Sequence, residues 1–361
     1  MYTQNDIAML YLDNLRVSYK TICDILKIVK EPQDIFLKKH KELISNLLPA
    51  KALERADTLG LNKLEEMLIK DLEKYNIFAV TIFSNLYPTN LKNIPDPPFV
   101  LYCKGDVNLL KTQKIGIVGT RTPTNYGRDV ANKFTKELVQ AGLVTISGLS
   151  YGIDTCVAVT TLENNGKTIA VLGGGLDSIY PAQNVELSKK IASTGLLVSE
   201  YPPHIKPRQF AFIRRNRIIS GLSDGVLVVE AGIKSGATST AMFAVEQGRE
   251  LFVVPGNITS KLSEGTNDLI NEMPDCFTIN TNQILKKLNV AVKPQKKENK
   301  QLQLDFLSQQ IVECLQNGEV HFDEICLKLN QPANTLASTL TMLEIMGIVK
   351  KLSGNFYSLV Y

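Results

Sequence analysis

At 361 residues the chain is too long for one small domain, and two or three are expected. Forty basic against 36 acidic residues leave a net charge of +4, which excludes a polycation, so any affinity for nucleic acid must come from local clustering. Six scattered cysteines without a CxxC pair, joined by only three histidines, argue against a zinc site and for reduced thiols in the cytosol, while Asp6 and Asp13 near the start fit no signal peptide and no apolar run is long enough to span a membrane.

Residues 1–80 read as a helical N-terminal domain. "DIAMLYLDNL", "YKTICDILKIV" and "LNKLEEMLIKDLEKYN" carry apolar residues at three- and four-residue spacing, punctuated by Pro32 and Pro49. A proline-rich connector, "YPTNLKNIPDPPFVLYCKGD", leads into a core placed at 81–290. There "KIGIVGT", "LVTISG", "KTIAVLGGG", "LLVSEY", "GVLVVEAG" and "ELFVVPG" are unbroken apolar runs alternating with helical patterns. Strands without polar alternation are buried on both faces, and alternation with helices implies a parallel sheet. The fold class is therefore α/β, a Rossmann-like doubly wound core with ligands expected at the carboxyl ends of its strands. "AVKPQKKENK", 291–300, reads as a linker, and 301–361 as three helices and a hairpin, the pattern of a winged helix.

One stretch concentrates positive charge. From Tyr201 to Ser223 there is no acidic residue, yet Lys206, Arg208, Arg214, Arg215 and Arg217 fall there. "RRNR" is expected on a strand-to-helix connection, just before the helix "IISGLSD". The first core strand ends in "VGTR", whose Gly119, Thr120 and Arg121 precede a helix beginning near Tyr126-Gly127. A helix N-terminus with a nearby arginine suits an anion. "SGLSYGID" (147–154), "GGG" (173–175) and "SGATST" (235–240) place glycine and hydroxyl residues after other strands, where backbone must come close to something; phosphate is one such partner.

Other chemistry is less well supported. "GIVGTRTPTNYG" lacks the dinucleotide fingerprint, and "NGKT" (165–168) is no phosphate loop because Thr161 stands where its first glycine is needed. Asp154, Asp177, Glu200 and Glu230 sit near strand ends, where carboxylates cap helices or pair with arginine more readily than they catalyse. No nucleophile–histidine–carboxylate set emerges. The third C-terminal helix, "NTLASTLTMLEIMG", has no basic residue to reach DNA, which favours a protein contact; Lys350 and Lys351 in the wing keep a weak DNA contact open.

The series "GIVGTR", "SGLSYGID", "TIAVLGGGLDSIYPAQN", "RRNRIISGLSD", "VVEAGIKSGATSTAMFAVEQGRELFVVPG" and "EGTNDLI" resembles, in order, the DNA-processing protein A (DprA/Smf) family. The resemblance covers nearly the whole chain and its three-part layout, with a SAM-like N-terminal domain. It implies a cytoplasmic, non-enzymatic protein that binds single-stranded DNA without sequence preference, protects incoming DNA in natural transformation and loads the RecA recombinase as a homodimer. No cofactor is implied. The implied DNA pocket comprises Gly119, Thr120, Arg121, Ser147, Gly148, Arg214, Arg215, Asn216, Arg217, Ser235 and Gly236. Lys206 and Arg208 add charge, and Phe212, with Phe210, could stack under bases. The sequence departs from the family at Val157-Ala158, Ile213 and Met273-Pro274, and "DNLRVSYKT" lacks the glycine of a helix-hairpin-helix. The alternative reading is a nucleotide sensor or nucleotide-derivative hydrolase in the same pocket, with Glu230 as its carboxylate.

Overall fold

The six apolar runs form six parallel strands, and in most of them alternate residues feed different cores. The computed structural model describes residues 2–58, 61–290, 304–316 and 318–360. The strands are β1 Phe78–Thr81, β2 Val100–Gly105, β3 Lys114–Val118, β4 Val144–Ser147, β5 Thr168–Leu172, β6 Leu196–Ser199, β7 Gly225–Val228 and β8 Glu250–Val253. They form one sheet in the order β1-β2-β6-β5-β4-β3-β7-β8. β3 to β8 run parallel, and β1 and β2 add an antiparallel edge.

Along β7, Val226 and Val228 face one core while Leu227 and Val229 face another. Along β5, Ile169 and Val171 join that first core while Ala170 and Leu172 join a third. With both faces covered by apolar packing there is no place for polar alternation, which is why these strands read as continuous runs. Helices Gln209–Leu222 and Gly236–Glu246 cover the first face through Ile218, Ile219, Leu222, Ala237 and Ala241. Helix Asn125–Gln140 and helix Ile153–Glu163 cover the other through Phe134, Leu138 and Val157.

The N-terminal helices share a core with the sheet: Ile7, Leu10 and Ile25 pack with Ala79, Tyr102 and Leu197. The first helix, Gln4–Asn14, and Tyr2 just before it are also tied to β1 by hydrogen bonds. Thr81 Oγ1 donates to Asp6 Oδ1 at 2.5 Å and Ala79 N to the Tyr2 hydroxyl at 2.9 Å. Met1–Lys293 accordingly forms one compact unit and Pro294–Tyr361 a second. The expected linker at 291–300 lies outside the described residues.

The second unit contains helices Phe306–Leu315, Phe322–Leu329 and Ala333–Ile345 and a small sheet of β9 Val320–His321, β10 Val349–Lys351 and β11 Phe356–Leu359. Ile311, Leu315, Ile325, Leu336, Leu340 and Leu343 close its core. This is the winged-helix arrangement.

Candidate nucleic-acid interface

The chain doubles back at β3: β4 to β6 extend to one side of it, and β7 and β8 to the other. Such a reversal opens a crevice beyond the strand ends. A cleft of about 760 Å³ lies there, lined by Gly119, Thr120 and Arg121 after β3 and by Lys234, Ser235 and Gly236 after β7. Phe212, Arg215 and Asn216 of helix Gln209–Leu222 also line it. Eight of the residues expected from sequence are thereby brought together.

The arginine block is not a connection before a helix, as expected, but the body of one, beginning at Gln209. In a helix, residues two apart point to nearly opposite sides, and this divides the cluster. Arg215 is buried, donates from Nη1 to the Val171 carbonyl at 2.6 Å and borders the cleft. Its Nε has no hydrogen-bond partner among the described residues. Burial pulls its pKa down to about 10, against the favourable charge of Asp154, and Arg121 nearby lowers it further. Arg217 instead donates from Nε to Asp96 at 2.9 Å and from Nη2 to Glu200 at 2.6 Å. Burial works against its charge, but Glu200 and Asp96 outweigh that and hold the pKa above the ordinary value. Arg214 lies 3.6 Å from Glu200 and is half exposed. Arg214 and Arg217 line a separate small cavity of about 50 Å³ with Asp13, Tyr19 and Glu200. The four-residue block is therefore not one phosphate-binding set.

Other expected residues serve the protein itself. Ser147 is buried and donates to the Ile117 carbonyl at 2.9 Å. Gly148 is covered by the Arg215 guanidinium: a Cβ there would stand 1.8 Å from Nη1. Gly119 leaves room for Ile153, and Gly173 and Gly174 for Phe212 and Pro207. The approach that these glycine loops permit is thus largely made by the chain's own arginine helix and its lead-in. Lys206 and Arg208 are exposed on either side of Pro207, which lines the cleft although they do not. Phe210 is exposed and also outside the lining.

The helix after "VGTR" does not present a free N-terminus. Thr124 caps it, accepting from Gly127 N, while Glu230 accepts from Thr124 N at 2.9 Å and Thr124 Oγ1 at 2.7 Å. The N-terminus that opens on the cleft belongs to helix Gly236–Glu246, where Ser235 accepts from Thr238 N and Gly236 and Ala237 line the wall. First-turn amides of a helix lack intrahelical partners and favour an anion. Asn216 Nδ2 donates to the Gly236 carbonyl at 3.0 Å and fixes this helix against the arginine helix.

The remaining carboxylates are also committed. Asp154 accepts from Ser150 N at 3.2 Å, and Asp177 accepts from His204 N with both oxygens at 3.0 Å. Sequence reasoning missed Tyr180 and Lys234 in the lining, whereas Ser239 and Thr240 belong to the expected 235–240 stretch. Ser239 and Thr240 follow Ser235 and Gly236 by four residues and so share their helix face; Tyr180 has no such signal. Among the described residues no cluster of histidine, cysteine and carboxylate could hold a metal, and no helix is long and apolar enough to cross a membrane.

Comparison with known proteins agrees with this architecture. Residues 78–289 match the family model of DNA recombination-mediator protein A, and 295–355 that of the DprA winged helix domain. The chain is 48% identical over 197 residues to DNA processing protein DprA of Bacillus subtilis, covering 54% of this chain and 66% of that protein. It is 38% identical over 304 residues to Protein Smf of Synechocystis, covering 78% and 76%. The crystal structure of DprA from Streptococcus pneumoniae superposes with a TM-score of 0.67 at 32% identity, over 79% of this chain and 98% of that one. DNA processing protein A from Helicobacter pylori, whose structure addresses its single-stranded DNA binding mode, superposes at 0.54 with 33% identity, over 60% and 97%. With a family model matched over more than half its length, the chain belongs to the DprA family of DNA recombination mediators.

Proposed function

We propose that the cleft between β3 and β7 binds single-stranded DNA without sequence preference. On this reading the chain is a non-enzymatic mediator that protects incoming single strands and loads a RecA-type recombinase. It acts as a homodimer in the cytoplasm, in natural transformation or a related recombination task. The observation that carries the reading is that exposed Arg121 and buried Arg215 line one cleft together with the N-terminus of helix Gly236–Glu246. Neither guanidinium forms an ion pair among the described residues, whereas Arg214 and Arg217 do. Two such cations beside open amides and the Phe212 ring match a phosphate backbone carrying flat bases. Family membership and the Helicobacter pylori relative's binding mode support the same ligand.

Nucleotide hydrolysis is less well supported because Glu230, its candidate carboxylate, is occupied by both donors of Thr124. In the second unit, helix Ala333–Ile345 exposes Met342 and Ile345 and has no basic residue, which favours a protein contact. The ligand is tested by competing a labelled oligonucleotide with unlabelled single strand, duplex and mononucleotide across a salt series. Single strand should compete best, with affinity falling steeply as salt rises. Displacement by micromolar mononucleotide would assign the cleft to a smaller ligand.

A further inference from the structure

One wall of the cleft carries an aromatic ring that phosphate binding leaves unused. Tyr180 lies in the segment after β5, lines the cleft and remains 50% exposed. Its ring centroid is 5.5 Å from that of Phe212, with the planes at 47°. The Arg121 guanidinium lies 5.8 Å from the centroid of the same Phe212 ring. Tyr180, Phe212 and Arg121 therefore form a continuous run of two rings and a cation.

The segment that carries Tyr180 is anchored on both sides. Before it, Asp177 accepts from His204 N and Ser178 N donates to the Gly175 carbonyl. After it, Asn184 Nδ2 donates to the Leu149 carbonyl at 3.0 Å and to Thr155 Oγ1 at 2.9 Å. The segment is therefore held in place by hydrogen bonds of the ring's sequence neighbours, not by the tyrosine hydroxyl, for which no partner occurs among the described residues. A tyrosine needed only as packing for Phe212 would be covered; this one lines the cleft and stays half exposed.

Resting on the reading that the cleft takes single-stranded DNA, we propose that Tyr180 is a second base-stacking platform beside Phe212. Successive bases lie on the two rings while the backbone passes Arg121. Every base has a π face, so such a platform is indifferent to sequence. In a duplex those faces are already stacked on neighbouring pairs, so the two rings favour single strands through chemistry that the arginines lack.

The chain contains no tryptophan, so Tyr180→Trp creates a lone reporter at the platform. Labelled-oligonucleotide anisotropy measures binding independently of its emission. Both oligo-dT and oligo-dA should bind this variant and quench its emission, whereas an abasic oligonucleotide should bind more weakly without quenching. Tyr180→Ala should weaken binding by about five- to a hundredfold, as loss of one stacked base does, with melting temperature unchanged; Tyr180→Phe should restore it. Anisotropy showing full binding with unquenched emission, or Tyr180→Ala binding like wild type, would overturn the platform while leaving the cleft assignment intact. Failure of the wild-type protein to bind single strands would overturn both.

Discussion

Arg215 and Arg217 stand two positions apart on one helix and have opposite surroundings. Arg215 borders the cleft with one bond to the Val171 carbonyl, and Arg217 is clamped between Asp96 and Glu200. Their substitutions should therefore fail differently. Arg217→Ala leaves Glu200, itself buried, without its strongest partner. Breaking such a pair from one side costs about 3 kcal/mol or more. Urea denaturation should show that loss as a lower midpoint with an unchanged slope.

Arg121 is exposed and carries no ion pair among the described residues, so Arg121→Ala should leave stability within about 0.5 kcal/mol of wild type. Its effect should appear in DNA binding. If Arg121 neutralises one phosphate, the logarithmic dependence of affinity on salt should become shallower by about one. The slope of a salt titration for wild type and variant gives the comparison directly.

Gly148 tests the architecture beneath the cleft. The Arg215 guanidinium occupies the space of a Cβ at this position, and Arg215 is itself buried. Gly148→Ala should displace the guanidinium, destabilise the fold by about 1–3 kcal/mol and weaken DNA binding although residue 148 does not line the cleft. Calorimetry and anisotropy on the same preparation would check both effects.

A pH dependence should originate away from the cleft. Asp13 accepts a hydrogen bond from the Tyr102 hydroxyl at 2.7 Å. Burial raises its pKa from the ordinary 3.8 to about 7; the Tyr102 bond opposes this, Glu200 adds to it, and Arg16 and Arg214 oppose it. Between those two values the folded chain holds a proton that the unfolded chain has released. Stability therefore falls as pH rises from about 4 to about 7 and levels off above. Asp13→Asn should flatten that slope and raise the melting temperature at pH 8 by a few degrees, the equivalent of about 1 kcal/mol.

The parallel sheet was legible because strands buried on both faces leave unbroken apolar runs, and all six runs are strands in the structure. The antiparallel edge was less so: β1 is four residues long, and three of them are buried. The location of the cleft also followed from the glycine and hydroxyl residues at the strand ends. The orientation of the arginines did not. Helix Gln209–Leu222 starts without a side-chain cap, its N-cap being Arg208, so nothing local marks the point at which directions become helical. Arg217's partner Asp96 lies 121 residues away, and no local pattern announces a pair that distant. Gly148, Gly173 and Gly174 suggest room for a ligand in the sequence, because a missing side chain does not say what fills its place.

The most direct test is to titrate a fluorescent oligo-dT with wild type and Arg121→Glu at fixed salt, after matching their melting temperatures. Placing a carboxylate beside Arg215 at the cleft mouth should weaken binding at least about a hundredfold while folding is unchanged, as expected when a phosphate contact is replaced by repulsion. Equal affinity for the two proteins would mean that single-stranded DNA binds elsewhere on the molecule, and the account of this cleft would be wrong.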